Sequence, residues 1–97
     1  MVPVTVAKMT RLRVIHLSGE IDASTVDLFV REIEPHLDMS NATIVLDLSQ
    51  VTFLGTVGLK VLAQAERRVN RAGSKLRLVG ATTAVQRSLE MLDALRA

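Results

Sequence analysis

The apolar residues at the start of the chain alternate with other positions, a spacing of two that is typical of a β-strand. Val2, Val4 and Val6 alternate within residues 2–9, and a second β-rich run covers residues 12–18. Because only two residues separate the runs, the pattern predicts an antiparallel N-terminal hairpin.

Residues 24–37 carry apolar side chains at helical spacing instead. Ser24, followed three residues later by Asp27, is typical of a helix start, and Pro35 is expected to end or kink the helix. The apolar stripe comprises Val26, Phe29, Val30, Ile33 and Leu37. The pattern therefore predicts one amphipathic helix over this segment.

Two later segments have the composition of β-strands. Residues 43–49, TIVLDLS, form a short apolar run with β-branched residues, which predicts a central strand covered on both faces. Residues 74–80, SKLRLVG, predict a further strand.

Helical spacing returns after each of these strands. Residues 57–72 have one apolar side, and Gly73 stands where a helix would stop. Thr83 and Gln86 have the spacing of a capping box at the start of a third helix, which is expected to run nearly to the C-terminus. The apolar stripes comprise Val61, Leu62, Ala65, Val69 and Ala72 in the second helix and Val85, Leu89, Leu92 and Leu95 in the third.

The predicted order of elements is β-β-α-β-α-β-α, which places the chain in the α/β class. Two strand-helix-strand crossovers require parallel pairing, whereas the first hairpin requires antiparallel pairing. We therefore expect a mixed β-sheet with the helices packed on it.

Composition limits the chain to one ordinary domain over residues 1–97. With 48% hydrophobic and 23% charged residues it has the material for an aliphatic core, and it has no cysteine for disulfides or thiolate chemistry. No apolar run approaches the roughly 20 residues that cross a bilayer, so a soluble cytoplasmic protein without membrane insertion is expected. The sequence pI of about 9.7 accompanies a net charge of only +2. That charge is weak support for direct nucleic-acid binding, and the only aromatic residues, Phe29 and Phe53, are expected to be buried.

The residues that could carry catalysis are sparse. His16 and His36 lie in different elements, and neither has a carboxylate or a second histidine at ligand spacing along the sequence, so no metal is assigned. No nucleophile-elbow pattern accompanies the serines. Only two residues separate the glycines of GTVGLK, where a phosphate loop has four, and Lys60 is not followed by Ser or Thr, so the segment does not match a phosphate loop. We expect neither an enzyme nor a cofactor of its own.

One segment nevertheless places a hydroxyl at the edge where open α/β sheets carry their working residues. FLGTVGLK, residues 53–60, joins the central strand to the second helix and holds Thr56 at the junction. In one interpretation Thr56 only caps the helix while the neighbouring glycines permit the turn. The other interpretation rests on a polar stripe in helical register, which is either a solvated face or a docking surface for an acidic partner. The stripe comprises Thr56, Lys60, Gln64, Arg67 and Arg71.

Three separated stretches resemble one known family. VIHLSGEIDASTVDLF, TIVLDLSQVTFLGTVGLKVLAQAERR and LRLVGATTAVQRSLEML are similar, in the right order, to the STAS domain of bacterial anti-sigma factor antagonists. Gly19 and Asp22 match the family's GEID turn, Asp47 matches the acidic residue of its DLS strand, and Gly58 with Leu59 match its Gly-Leu. The resemblance covers nearly the whole chain. It implies either a minimal form or a truncated one, because family members commonly continue beyond the third helix.

The resemblance implies a function in which the domain performs no chemistry. Family members bind an anti-sigma factor that is also a kinase, displace the sigma factor, and are inactivated when a hydroxyl residue of the loop is phosphorylated. Thr56 aligns with that position, Gly55 stands where the family has Asp, and Val57 stands where it has a second hydroxyl residue. The expected partner-binding residues are Gly55, Thr56, Val57, Gly58, Lys60, Gln64, Arg67 and Asp22.

Three further expectations complete this interpretation. Asp47 is expected to accept backbone N–H bonds from a loop over residues 50–55 and so to serve stability. The rival function, favoured by Gly55 and Val57, is a structural subunit in which an unphosphorylated STAS-like domain packs permanently, for example in a transporter-associated complex. The sequence leaves the oligomeric state and the identity of the partner open.

Overall fold

The computed structural model describes residues 4–9 and 11–93, with the backbone alone described for residues 4–8. Four strands and three α-helices follow one another in the predicted order, with one short 3-10 turn after the first helix. The elements are β1 Val4–Met9, β2 Leu12–Ile21, α1 Val26–Ile33, the 3-10 turn Glu34–His36, β3 Thr43–Leu54, α2 Thr56–Arg71, β4 Lys75–Val79 and α3 Thr83–Leu89.

The four strands form one sheet in the order β1-β2-β3-β4. β1 pairs antiparallel with β2, while β2 pairs parallel with β3 and β3 parallel with β4. The hairpin, the two crossovers and the mixed sheet are thus confirmed, and β3 is central because it has a neighbour on each side.

β3 is longer than its sequence pattern predicted. It continues through Leu54, five residues beyond Ser49, so no loop spans residues 50–55. The second half pairs with β2 alone, since β4 ends at Val79 opposite Asp47. Beyond Leu48 the strict alternation of buried residues ends, since only Val51 and Leu54 are buried in this second half of the strand.

The helices cover one face of the sheet, where a single cluster of buried hydrophobic residues joins β2, β3 and the three α-helices. Residues at alternate positions of β3, including Ile44, Leu46 and Leu48, point into that cluster. Val45 and Asp47 between them are only half-buried, so the expectation that β3 is covered on both faces was wrong. The opposite face, with exposed Lys75 and Arg77 on β4, is open.

The helix boundaries differ from the sequence expectation by one or two residues at three N-termini. Thr25, not Ser24, precedes α1, and Ser24 instead donates to Asp22. Thr82, not Thr83, caps α3, where its Oγ1 accepts from the backbone N–H of Val85 at 3.3 Å. The capping box predicted from Thr83 and Gln86 is therefore wrong, because adjacent hydroxyl residues make the cap position ambiguous in the sequence.

The predicted helix ends are confirmed where Pro or Gly imposes them. α1 ends at Ile33, and Pro35 lies in the 3-10 turn that follows. Gly73 has a φ of +79° immediately after α2, a conformation that favours glycine. α3 proper ends at Leu89, and Leu92 is buried beyond it, while Leu95 lies outside the described residues.

Candidate functional site

The C-terminal ends of β2 and β3 lie side by side because the two strands are parallel. Ile21 is opposite Leu54 in the register, and the Gly55 N–H donates to the Ile21 carbonyl at 2.9 Å. The turn after β2, which holds Asp22, and the junction after β3 therefore share one edge of the sheet. Two of the sequence motifs that are far apart in the chain meet at this edge.

Thr56 is the first residue of α2 and does not cap it. Gly55, with extended backbone angles, occupies the cap position, and its carbonyl accepts from the Leu59 N–H at 3.1 Å. The Thr56 side chain is exposed and makes no hydrogen bond within residues 4–9 and 11–93. The interpretation of Thr56 as a helix cap is therefore wrong, and its hydroxyl is available to a second molecule.

Gly58 is a packing residue and not part of the exposed surface. A Cβ at this position would lie 2.7 Å from Leu54 Cδ1 and 2.8 Å from Ile21 Cγ2, both in buried side chains. The absence of a side chain allows α2 to begin directly against the ends of β2 and β3. Its expected role in partner binding stays a prediction, and any such role would be indirect, while Val57 beside it is 37% exposed.

Phe53 is 51% exposed, contrary to the expectation that both phenylalanines are buried. It is opposite Glu20 on β2, in the part of β3 that extends past β4. Its Cε2 lies 3.2 Å from where a Cβ of Gly55 would be. An apolar ring thus lies against the junction, next to the residue that carries the free hydroxyl.

The polar stripe of α2 is present as predicted, with all five of its residues exposed. Lys60, Gln64 and Arg67 surround a shallow depression of about 110 Å³ that is also lined by Ala63. We call these four residues the α2 depression. Arg68, next in sequence, belongs to a different environment, because it donates to both Glu34 and Asp38.

The carboxylate of Asp22 is bound within its own turn. Its Oδ1 accepts from the Ser24 hydroxyl at 2.6 Å and from the Ser24 N–H at 2.9 Å, and the hydroxyl bond is the main cause of a lowered Asp22 pKa. The Thr25 hydroxyl donates to the Glu20 carbonyl at 2.8 Å and accepts from the Asp22 N–H at 3.0 Å. Asp22 therefore shapes the turn beside the junction and stays ionised there.

A model of the STAS domain matches residues 4–97 of the chain. The chain belongs to the STAS domain family. This STAS domain carries Gly55, Thr56 and Val57 at the strand-helix junction, and no residue there is acidic.

Similar proteins include antagonists of anti-sigma factors. The chain is 35% identical over 71 residues to the anti-sigma-F factor antagonist RsfB of Mycobacterium tuberculosis, an alignment that covers 73% of this chain and 58% of that relative. A crystal structure of an anti-sigma factor antagonist from Mycobacterium paratuberculosis matches with a TM-score of 0.83 and 29% identity, covering 97% of this chain and 80% of that one. SpoIIAA of Bacillus in its unphosphorylated form shares the fold, with a TM-score of 0.75, 18% identity, and coverage of 97% and 83%.

One pair of functional groups was missed by sequence reasoning. His16 Nδ1 and Asp47 Oδ2 are 2.7 Å apart across β2 and β3, although 31 residues separate them in the chain. Asp47 Oδ1 accepts from the Ser49 N–H at 3.0 Å, and this bond is the main cause of a lowered Asp47 pKa. The expectation that Asp47 accepts backbone N–H bonds is confirmed, but the donor lies within β3 and not in a loop. His16 lies in the IHL motif of β2, and Asp47 lies in the DLS motif of β3. Aligning these two motifs in a parallel pair of strands is the signal that could have predicted the contact.

The described residues hold neither a metal site nor a membrane span. Within residues 4–9 and 11–93, no cluster of three or more His, Cys, Asp or Glu side chains is arranged to bind a metal ion. In the same part of the chain, no helix has both the length and the apolar character needed to cross a bilayer.

Proposed function

We propose that this STAS domain binds an anti-sigma factor and thereby releases a sigma factor. The observation that carries the proposal is the exposed Thr56 hydroxyl, which is free of internal hydrogen bonds and lies at the edge shared by β2 and β3. The sequence similarity to RsfB supports the same class of partner. Within this proposal the domain acts by occupying a surface of its partner, and it supplies no reacting group.

The surface around Thr56 has the composition of a protein interface. Phe53 and Val57 expose apolar area beside the hydroxyl, and Lys60 and Arg67 extend the surface along α2. Aromatic residues and arginine are both enriched at protein–protein interfaces. Gly58 contributes by letting α2 start close to the sheet, which fixes where these side chains point.

Phosphorylation of Thr56 by a kinase-type anti-sigma factor is the switch within this proposal. A phosphate would add about −1.5 to −2 charges at the N-terminus of a helix, where backbone N–H groups and the helix dipole favour negative charge. Thr56 has no internal hydrogen bond to lose, so the fold should tolerate the group. An interface packed around the same hydroxyl would not tolerate the phosphate, since its charge would be buried without a partner.

The test uses purified anti-sigma-F factor of M. tuberculosis with and without its sigma factor. Isothermal titration calorimetry should detect a complex with this chain, and size-exclusion chromatography should detect displaced sigma factor when the chain is added to the preformed pair. Intact mass after incubation with MgATP should show one added phosphate, absent from the Thr56→Ala variant. No binding to the anti-sigma-F factor and no displacement of its sigma factor would contradict the proposed function.

A second candidate is a permanent structural subunit that is not phosphorylated, for example in a transporter-associated complex. Gly55 and Val57 favour it, because neither residue offers a carboxylate to orient an acceptor or a second hydroxyl. Binding without any change of mass in MgATP would support this candidate. One phosphate that releases the partner would exclude it.

A further inference from the structure

The α2 depression is built from one face of a single rigid helix. Lys60, Ala63, Gln64 and Arg67 follow one another at steps of three, one and three residues, so they lie on one side over two turns of α2. Ala63 is 3% exposed and forms the floor, while the other three side chains are exposed around it. A small residue between longer ones leaves a concave site on an otherwise convex helix.

The depression is positively charged and its charges are unpaired. Within the described ranges, neither Lys60 nor Arg67 forms an ion pair, and no carboxylate lines the site. Arg68 shows the contrast, because its guanidinium lies 2.7 Å from Asp38 and 3.1 Å from Glu34. The same helix therefore has one arginine neutralised by internal carboxylates, while Lys60 and Arg67 remain available to an external anion.

The size of the depression limits what that anion can be. Its volume of about 110 Å³ is well below the roughly 300 Å³ at which small-molecule pockets begin, so it suits the end of one side chain. The Lys60 ammonium, the Arg67 guanidinium and the Gln64 amide surround that volume. All three have N–H groups that can donate hydrogen bonds to a carboxylate. Nucleic-acid phosphates fit less well, because they form a repeating track and the exposed aromatic residue, Phe53, is not part of the depression.

We propose that the α2 depression receives an Asp or Glu side chain of the anti-sigma factor. This inference rests on the proposed function and specifies the chemistry of the partner at one point of the interface. The acidic side chain enters between Lys60 and Arg67 over Ala63. Thr56, at the other end of the same helix face, and Phe53, near the end of β3, meet the partner as well. Charge complementarity then fixes the orientation in which the partner lies along α2.

The experiment measures binding of anti-sigma-F factor of M. tuberculosis to the wild-type chain and to Lys60→Glu and Arg67→Glu by isothermal titration calorimetry. Each reversal should weaken binding at least tenfold, and the loss should shrink as the salt concentration rises, because screening weakens the repulsion. Arg77→Glu is the matched control. It changes net charge equally, is exposed on the open face of the sheet away from α2, and should change affinity less than about threefold. Circular dichroism and melting temperature should show that all three variants fold.

A panel of single Asp→Lys and Glu→Lys variants of the anti-sigma-F factor then identifies the occupant. One member of the panel should bind Arg67→Glu at least tenfold more tightly than the unmodified factor does, and this restoration is the result specific to a direct contact. If no member restores binding, the direct contact is refuted.

The other outcomes separate this inference from the proposed function. If the wild-type chain binds and both reversals behave like Arg77→Glu, the depression is not a docking site although the proposed function stands. If the wild-type chain does not bind, the proposed function and this inference fall together. A gel shift with duplex DNA that both reversals abolish would assign the depression to a phosphate backbone and overturn the inference.

Discussion

The imidazole of His16 and the carboxylate of Asp47 lie 2.7 Å apart and join neighbouring strands on the face of the sheet opposite the helix-covered core. The same carboxylate accepts from Ser49 through its other oxygen, which holds the backbone of β3 where its pairing with β4 ends. Gly80, with a φ of +73°, lies close over Asp47, since a Cβ there would be 2.9 Å from Asp47 Oδ1. Asp47 thus bonds β2 to β3 and lies against the segment after β4, and we predict that its role is structural.

Replacing Asp47 by Ala should destabilise the fold without weakening partner binding directly. The change removes a charged hydrogen bond to His16 and the bond from Ser49, each worth about 1 kcal/mol in a partly exposed site. We expect a loss of about 1 to 3 kcal/mol in the free energy of unfolding, measured by urea denaturation. A wild-type unfolding curve combined with lost binding would move Asp47 into the functional site.

The stability contributed by Asp47 should also depend on pH. Its pKa lies below the ordinary value of 3.8 in the folded protein, chiefly because of the Ser49 N–H bond, so folding favours the ionised form. The stabilisation is therefore complete above about pH 5 and is lost as the pH falls below 3.8 through the lower folded pKa.

Asp47→Asn supplies the control for that pH dependence. The difference in unfolding free energy between wild type and this variant should be largest near neutral pH and shrink towards about pH 2. Asp22 titrates in both proteins, so its own lowered pKa cancels in the difference. A difference that stays constant over that range would show that the Asp47 carboxylate gains nothing from folding.

Gly58→Ala should destabilise the protein although alanine favours helices. The new methyl group would meet Leu54 Cδ1 at 2.7 Å and Ile21 Cγ2 at 2.8 Å, in side chains that the core already fixes. Overpacking of this kind costs about 1 to 3 kcal/mol, against a helix-propensity gain of about 1 kcal/mol. We therefore expect a net loss of up to about 2 kcal/mol, measured by chemical denaturation.

Gly55→Ala is the matched control for Gly58→Ala. The two glycines flank Thr56 and Val57. Its Cβ would meet the half-exposed ring of Phe53 at 3.2 Å, and that ring can move towards solvent. Its backbone angles of −84° and 173° suit any residue. The variant should unfold within about 0.5 kcal/mol of wild type, and equal losses in the two variants would refute the packing role of Gly58.

Substitutions of Thr56 should separate folding from binding. Thr56→Glu places a carboxylate at a helix N-terminus, which the dipole favours by about 0.3 to 1 kcal/mol, and no cap bond is lost because Gly55 is the cap. The melting temperature should therefore hardly change. Binding to the anti-sigma-F factor should fall at least about a hundredfold, because the interface would bury an unpaired charge.

Thr56→Ala is the uncharged counterpart. It should bind the anti-sigma-F factor nearly as tightly as wild type and gain no phosphate in MgATP, as judged by calorimetry and intact mass. If the Glu and Ala variants both bound like wild type, Thr56 would lie outside the interface and the phosphorylation switch would be refuted.

The sequence predicted the architecture because the apolar spacing in this chain is unambiguous over long segments. The stripe that includes Val61, Leu62 and Val69 is helical, and the run around Ile44 is typical of a central strand; the structure agrees with both. The polar stripe of α2 was predicted for the same reason, since the residues opposite a buried stripe must face outwards.

The parts that sequence reasoning missed depend on contacts between strands. The end of β3 at Leu54 and the exposure of Phe53 follow from the length of β2, which no local pattern in β3 encodes. The His16 and Asp47 pair depends on parallel register across 31 residues. The cap at Gly55 differs by one residue from the expected Thr56, because glycine and threonine are about equally common at the cap position and the sequence does not distinguish them.

A single residue, Gly55, connects β3 to α2. This short connection affects how tightly a partner can bind. A recognition residue on a long loop must be ordered during association, and that ordering opposes binding by roughly 0.5 to 1.5 kcal/mol for each side chain that is immobilised. Thr56 instead follows a strand whose Gly55 N–H is bonded to Ile21, so its backbone is already ordered before any encounter. If Thr56 contacts a partner as proposed, little of the interaction energy is spent on ordering its backbone, and a group added to Thr56 cannot be accommodated by a rearranging loop.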